Sequence, residues 1–475
     1  MRFLKVALRL PLITLTIVYC MRWAAIRLRR ILLRSTDDST PPIEPEQVDP
    51  QMRRVIISDL HLGAGDRLDD FDADAELSTF IRAYVTSGVP TELILAGDTF
   101  EFLQVRLPNL SDFEWSGEAA AQRLNAILAA HTEPIAALRM FLEQTDNQLT
   151  VLIGNHDFEL HYAKAKARLR EALGLADGDR RLRFGLTYSG GGVYIDHGMQ
   201  FDPWNRFANV AGISEPFEVV RGTRMVKEVI NPLEDDAIEL APLIDNVKPG
   251  SAFFWYMLSL PRLRQPQGRR FAARGLLLLA RVNALPRSYG IWTPSTAGPD
   301  EGKARGRRRN QRIVAFARVL ARPLLSELPD TTVAEIQHEA KRQLRREIHE
   351  FETAMVKAIA RIATGVEHRD TSLFVCGHTH SAQVVPLNER QTYINTGTWT
   401  TIVLDITTRR REEQRFPFFE ILYQPDSPTP QGRLLVWQDG GAAPQPWRVV
   451  QARRPNASEA LRTARLSRQD TKIPR

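Results

Sequence analysis

The chain has 475 residues, with 63 Lys+Arg against 56 Asp+Glu and a formal net charge of +7. Its 43% hydrophobic and 25% charged residues exclude a disordered or multi-span membrane chain, and its length exceeds one small domain. The excess charge is local: residues 1–34 carry eight basic side chains and no acid, so the remainder is close to neutral and is not the basic body of a nucleic-acid binder.

In residues 1–34, Arg9 and Arg22 flank the uncharged run Leu10 to Met21, which is too short to span a bilayer comfortably. Apolar residues interleaved with arginine follow, and the composition predicts an amphipathic segment on an anionic membrane surface. A span with snorkelling arginines and a soluble helix are the alternatives. Proline-rich residues 35–51 read as a linker. Cys20 and Cys376 are the only cysteines, which excludes a disulfide framework and points to a reducing compartment.

From residue 52 to 205, β-branched runs alternate with helical patterns at 118–143 and 158–173, which predicts a layered α/β fold. A mostly helical insertion follows over 206–370. The strand pattern resumes over 371–450, and 451–475 reads as a flexible basic tail. Within the insertion, 246–299 has no acid but carries Lys248 and seven arginines among aromatic and leucine runs. That mixture suits a membrane interface or amphiphilic ligand, an RNA, or a helical subdomain with one buried face. Two such segments in one chain favour the membrane over nucleic acid. Apolar residues from Val333 to Ile362, spaced by three and four, predict one long helix that packs the insertion on the core.

Five strand-like runs each end in a polar cluster: Asp59-Leu60-His61, Gly97-Asp98 with Glu101, Gly154-Asn155-His156-Asp157, His197-Gly198, and Gly377-His378-Thr379-His380. Strand C-termini of an α/β sheet converge on one crevice, so these clusters are expected to meet. Carboxylate, imidazole and amide donors without thiolate suit Mn²⁺, Fe, Zn²⁺ or Mg²⁺, and Asp59 with His61, like His378 with His380, are expected to leave a strand end on the same side. Five of the ten histidines fall in these motifs. His131, His161, His338, His349 and His368 fit none and read as ordinary helix or surface residues, with His161 a weak pocket candidate.

The ordered series D-x-H, G-D-x-x-E, G-N-H-D, H-G and G-H-T-H, followed by Asn395-Thr396-Gly397-Thr398-Trp399, resembles the calcineurin-like metallophosphoesterase superfamily. The resemblance implies a β-sandwich flanked by helices and two divalent ions, foremost Mn²⁺. It further implies that Asp59, His61 and His380 bind the first ion, that Asn155, His197 and His378 bind the second, and that Asp98 bridges them. His156 would contact the scissile phosphate with Glu101 orienting it. Asn155, Asn205 and Arg206 are candidate substrate contacts. The S-D-L-H-L start and the helical insertion after H-G also resemble UDP-2,3-diacylglucosamine pyrophosphatases. The expected activity is hydrolysis of a phosphodiester or pyrophosphate in a lipid-linked or amphiphilic substrate at the cytoplasmic face of a membrane. A phosphoprotein phosphatase, a nucleotide phosphodiesterase and a non-catalytic scaffold are the alternatives.

Overall fold

The computed structural model describes residues 34–44, 49, 52–237, 248–284, 330–400, 403–405, 410–411, 416–424, 427–438 and 443–447. The amphipathic segment 1–33, Cys20, the tail and the basic cluster between Lys303 and Arg312 lie outside the described residues.

In chain order the elements are β1 (Arg34–Ser39), β2 (Arg53–Ile57), α1 (Asp74–Val85), β3 (Thr91–Ala96), α2 (Gly117–Ala130), α3 (Thr132–Glu143), β4 (Gln148–Leu152), α4 (Ala163–Ala172), β5 (Leu182–Gly185), β6 (Thr187–Gly190), β7 (Val193–Asp196) and β8 (Gly212–Glu215). The insertion holds α5 (Arg221–Met225), a π turn (Val226–Ile230), α6 (Asn231–Ala237), α7 (Phe253–Ser259), α8 (Pro266–Ala284) and α9 (Asp330–Ile362). Then come β9 (Leu373–Cys376), β10 (Gln383–Pro386), β11 (Thr392–Asn395), β12 (Val403–Asp405), β13 (Arg410–Arg411), β14 (Phe416–Gln424), β15 (Ser427–Trp437) and β16 (Gln445–Pro446).

Two sheets carry the fold, a seven-stranded one in the order β16-β15-β14-β2-β3-β4-β5 and a five-stranded one in the order β10-β11-β9-β7-β6. Alternation along each strand sends side chains to both faces. Val55, Ile57, Leu93, Leu95 and Val151 meet Leu77, Phe80, Leu124, Leu138 and Phe141 of α1 to α3. Ile56, Ile94 and Leu152 face inward and pack against Val193, Ile195, Val375 and Ile394 of the other sheet. The outer face of that second sheet presents Phe374, Cys376 and Tyr393 to Met355 and Ile359 of α9. The result is a helix, sheet, sheet, helix sandwich of α/β class, as expected. Strands buried on both faces explain why the runs are continuously apolar rather than alternating. One polar knot ties the sheets together: buried Arg54 donates to Tyr188 Oη (2.6 Å), which donates to Glu92 (2.8 Å).

Part of the expected linker is folded. β1 pairs antiparallel with β8, and Ile43 is buried at a bridge to Tyr188. Its edge pairing comes from a strand far away in sequence, for which a local pattern holds no cue. In the insertion, Val229, Leu233, Phe253, Tyr256, Met257, Leu263, Phe271 and Leu279 form a core of their own with Val333 and Leu344. Much of the aromatic surface is thus spent on a cap core, although Phe254 stays 39% exposed. Among the described residues no helix is long and apolar enough to cross a membrane.

Candidate metal centre

β2, β3 and β4 run parallel, as do β7 and β9 in the second sheet, so their C-terminal loops open on one edge of the sandwich. Two separate donor groups assemble there, each buried and with ligand atoms within 4.8 Å of one another, Asp59, His61 and His380, and Asp98, His197 and His378, while a third set, His61, Glu101 and His156, overlaps the first. His61 Nε2 lies 3.2 Å from His380 Nε2, and His380 Nε2 lies 3.3 Å from Asp59 Oδ1. His197 Nε2 stands 3.1 Å from Asp98 Oδ2, and His61 Nε2 stands 4.0 Å from the same oxygen, so Asp98 adjoins both groups.

The backbone that delivers these side chains is not extended strand. Asp59, His61, Asp98, His378 and His380 have φ of 53, 52, 49, 69 and 58°, and they are the non-glycine residues with positive φ among the described residues. Strand alternation therefore does not explain the shared direction of Asp59 and His61; two left-handed residues flanking one ordinary residue do. Such conformations cost on the order of 1 kcal/mol or more each and persist only where surrounding bonds over-determine them. The bonds are present: Asp59 N to Gly97 O (3.1 Å), His61 N to Asp98 O (3.0 Å), and His378 N to both oxygens of Asp59 (3.0 Å each). At Gly154 a Cβ would overlap the Asp98 carboxylate, so only glycine lets the β4 loop approach it.

Each of three imidazoles is fixed through its far nitrogen. His61 Nδ1 contacts Glu101 (2.8 Å), His197 Nδ1 contacts Ala96 O (3.1 Å), and His378 Nε2 contacts Asp202 (3.1 Å). This sets tautomer and ring orientation and leaves one nitrogen for the centre. Burial alone would raise Glu101, yet His156 and His61 hold it down to about 2. Burial likewise opposes the ionisation of Asp59, but His380 and His197 bring it to about 2. Asp98 is carried below the usual carboxylate range by His197 and His156 despite its burial.

These donors fit divalent cations. Asn155 Oδ1, His378 Nδ1 and His380 Nδ1 are buried without a hydrogen-bond partner, which is costly unless something else satisfies them. Donor separations of 3.1–4.0 Å among imidazole and carboxylate atoms are those of atoms gathered around one small cation.

His156 stands at the edge of the centre. Its amide donates to Asp98 Oδ1 (2.8 Å), and its Nδ1 contacts Glu101 Oε2 (2.5 Å), the same oxygen that meets His61. Asn205 is buried and donates to Asp202 (2.7 Å), one step behind His378. Arg206 is exposed; its backbone amide, bonded to Asp202 O (2.9 Å), is its link to this loop.

Two carboxylates were given no role by the sequence reading. Asp157 accepts from Gly154 N (2.6 Å) and Thr99 N (2.8 Å), clamping the β3 loop to the β4 loop. Asp202 joins His378, Trp204 N and Asn205. The available signals were the place of Asp157 inside the G-N-H-D motif and of Asp202 shortly after His197-Gly198. His131 is also no ordinary surface residue: it is buried between Asp69 (3.0 Å) and Asp74 (2.7 Å). His161 is buried as well, its Nδ1 on Thr40 Oγ1 (3.0 Å), and burial depresses it to about 3.

Residues 52–243 match the family model for calcineurin-like phosphoesterase. The match ends before β9, so it is the folded chain that brings His378 and His380 to the other donors. No curated protein matches the chain.

Proposed function

From the premise that the chain belongs to the calcineurin-like metallophosphoesterases, we propose that it hydrolyses a phosphodiester or pyrophosphate of an amphiphilic, lipid-linked substrate at a membrane surface. The observation that carries the hydrolytic reading is the pair of buried donor groups, with Asp98 of one standing 4.0 Å from His61 of the other. Asp59, His61 and His380 would hold one cation, Asn155, His197 and His378 a second, and Asp98 both, with Mn²⁺ the first choice. Held there, divalent cations would supply positive charge for phosphoryl oxygens and would lower the pKa of a water nucleophile.

The chain's own residues do the rest. Glu101 occupies His156 Nδ1, so Nε2 is the nitrogen left for the substrate. That nitrogen can meet a phosphoryl oxygen or the leaving oxygen, with Glu101 holding the ring in place. Asp202 and Ala96 O keep His378 and His197 from turning away. Burial of the whole set excludes bulk water and strengthens these contacts.

Support for the membrane part comes from where the basic N-terminal segment joins the core. Arg34 pairs with Glu215 in β8, and Phe217, two residues on, stacks on Trp115 (4.2 Å) in a wall shared with Asn155 and His156. A surface-bound segment 1–33 would therefore be tethered beside the site. Purified protein with Mn²⁺ should hydrolyse bis-p-nitrophenyl phosphate, and Asp98→Ala should lower the rate by at least about 10³-fold. Full activity in that variant would end the metal-based reading.

A further inference from the structure

A pocket outside the donor cluster is built from charged groups that hydrolysis leaves without a task. β1, the short turn that ends at His161 and one face of α4 enclose a cavity of about 190 Å³, and none of its lining residues belongs to the proposed metal centre. That is far more room than one water or one cation needs. The inner wall is basic: His161 is buried, and Lys166 and Arg170 are half-buried. The mouth is acidic, with Asp37 and Asp177 exposed and Asp38 half-buried.

Folding alone does not account for the inner wall. His161 Nε2 and Arg170 Nη1 are buried without a hydrogen-bond partner among the described residues, which is costly unless a ligand satisfies them. His161 Nδ1 is engaged by Thr40 Oγ1 (3.0 Å), and Thr40 does not line the cavity, so the opposite edge of the ring is the one turned toward it. Burial and the charge of Lys166 depress His161 to about 3 against the Val210 carbonyl, so the ring is neutral. With the Thr40 hydroxyl donating to Nδ1, the ring proton sits on Nε2. Lys166 Nζ gives one proton to Ser39 O (2.7 Å) and keeps two. Arg170, one turn further along α4, is held with its guanidinium over the Phe184 ring (5.1 Å).

Three donors from three directions suit the several oxygens of a phosphate better than the two of a planar carboxylate. Asp38 Oδ1 accepts from Ala163 N (2.8 Å) at the start of α4, which keeps its charge at the mouth. A bare anion would be repelled by three acids on entry, whereas a group carrying its own cation would be matched at both ends. We propose that this pocket binds an aminoethyl phosphodiester, with the phosphate on His161, Lys166 and Arg170 and the ammonium at Asp37, Asp38 and Asp177. The site is independent of the hydrolytic reading. β1 follows directly on residues 1–33, whose composition suits a membrane surface, so a lipid headgroup is one source of this chemistry and a soluble ester the other.

The test uses the full chain loaded with Mn²⁺ and calorimetric titration with glycerophosphoethanolamine, inorganic phosphate and β-alanine. The diester is expected to bind, about tenfold more weakly after Arg170→Gln, with Arg170→Lys recovering part of the loss. Asp37→Asn combined with Asp177→Asn, both at the exposed mouth, should weaken the diester several-fold and leave inorganic phosphate unaffected. Titrations on Asp98→Ala take the metal centre out of the comparison: there the diester should still bind, and more tightly than phosphate or β-alanine. Loss of binding in Asp98→Ala, indifference to Arg170→Gln, or equal binding of phosphate or β-alanine in that background overturns the assignment. Flotation with phosphatidylethanolamine–phosphatidylcholine vesicles separates the two sources. Flotation reduced by Arg170→Gln identifies a lipid headgroup, and unchanged flotation beside a weakened titration identifies a soluble ester; both outcomes support the pocket.

Discussion

His131 offers a quantitative check on how the loop after the D-x-H motif is held. It lies between α2 and α3, and its two ring nitrogens meet Asp69 Oδ2 (3.0 Å) and Asp74 Oδ1 (2.7 Å). Two carboxylates require two donors, so the ring is protonated. Burial by itself would lower its pKa, but the two acids outweigh burial and raise it to about 9 from 6.5. Asp69 is also the knot of the loop, accepting from Gly63 N (3.2 Å), Gly65 N (2.8 Å) and Phe71 N (3.0 Å) just after His61. A folded-state pKa above the unfolded one gives stability that is complete below pH 6.5 and is lost as pH rises through 9. At 1.36 kcal/mol per unit the shift is worth about 3 kcal/mol, and partial exposure of Asp74 reduces it to about 2. Urea unfolding of the native chain and of His131→Gln, without added metal, should therefore give stability curves that converge by about 2 kcal/mol between pH 6.5 and 9.5. The cluster histidines titrate in both proteins and cancel in the difference. Parallel curves over that window would refute the reasoning.

Two further outcomes follow from the geometry. Gly154→Ala places a Cβ on the Asp98 carboxylate, so bound Mn²⁺ and hydrolysis of bis-p-nitrophenyl phosphate should both fall by at least about tenfold while the far-UV circular dichroism is kept; unchanged metal content would show that the β4 loop can yield. Removal of residues 1–33 should abolish flotation with anionic phosphatidylserine vesicles but not hydrolysis of a soluble diester, and undiminished flotation would move the membrane contact to the insertion.

The strands and the order of the donor motifs were legible because buried strands need unbroken apolar runs and because each run ends at a glycine or a polar turn. Val55 to Ile57, Leu93 to Leu95 and Leu373 to Val375 fall inside β2, β3 and β9. The long helix was legible from its period, and α9 covers 330–362. What local sequence could not carry was the pairing of distant groups. β1 against β8, Asp202 against His378 and His131 against Asp69 and Asp74 join residues 57 to 181 positions apart, and no periodicity connects them. The left-handed backbone at five donors was hidden for another reason. Asp and His are not glycine, so their conformation is imposed by hydrogen bonds from neighbouring loops rather than by intrinsic preference.

The cap is best understood through α9. Its N-terminal half belongs to the cap core with Val333 and Leu344, while its C-terminal half lies on the five-stranded sheet with Met355 and Ile359. Between them, Phe351 stands 6.1 Å from the His378 ring, and Glu347 accepts from Trp255 Nε1 of α7 (2.7 Å). A Cβ at Gly198, just after His197, would lie 3.5 Å from Met355 Cε and 3.6 Å from His378 Cβ. A rigid-body swing of the cap would therefore have to break packing directly behind two proposed ligands. Close-packed interiors resist such displacement, because even small gaps forfeit many contacts. The insertion is then a fixed wall of the site rather than a detachable lid, and what α9 places behind His378 and His197 is part of the site's resting geometry. A wall of that kind selects substrates by charge and shape before chemistry begins, whereas a mobile lid would select them by closing.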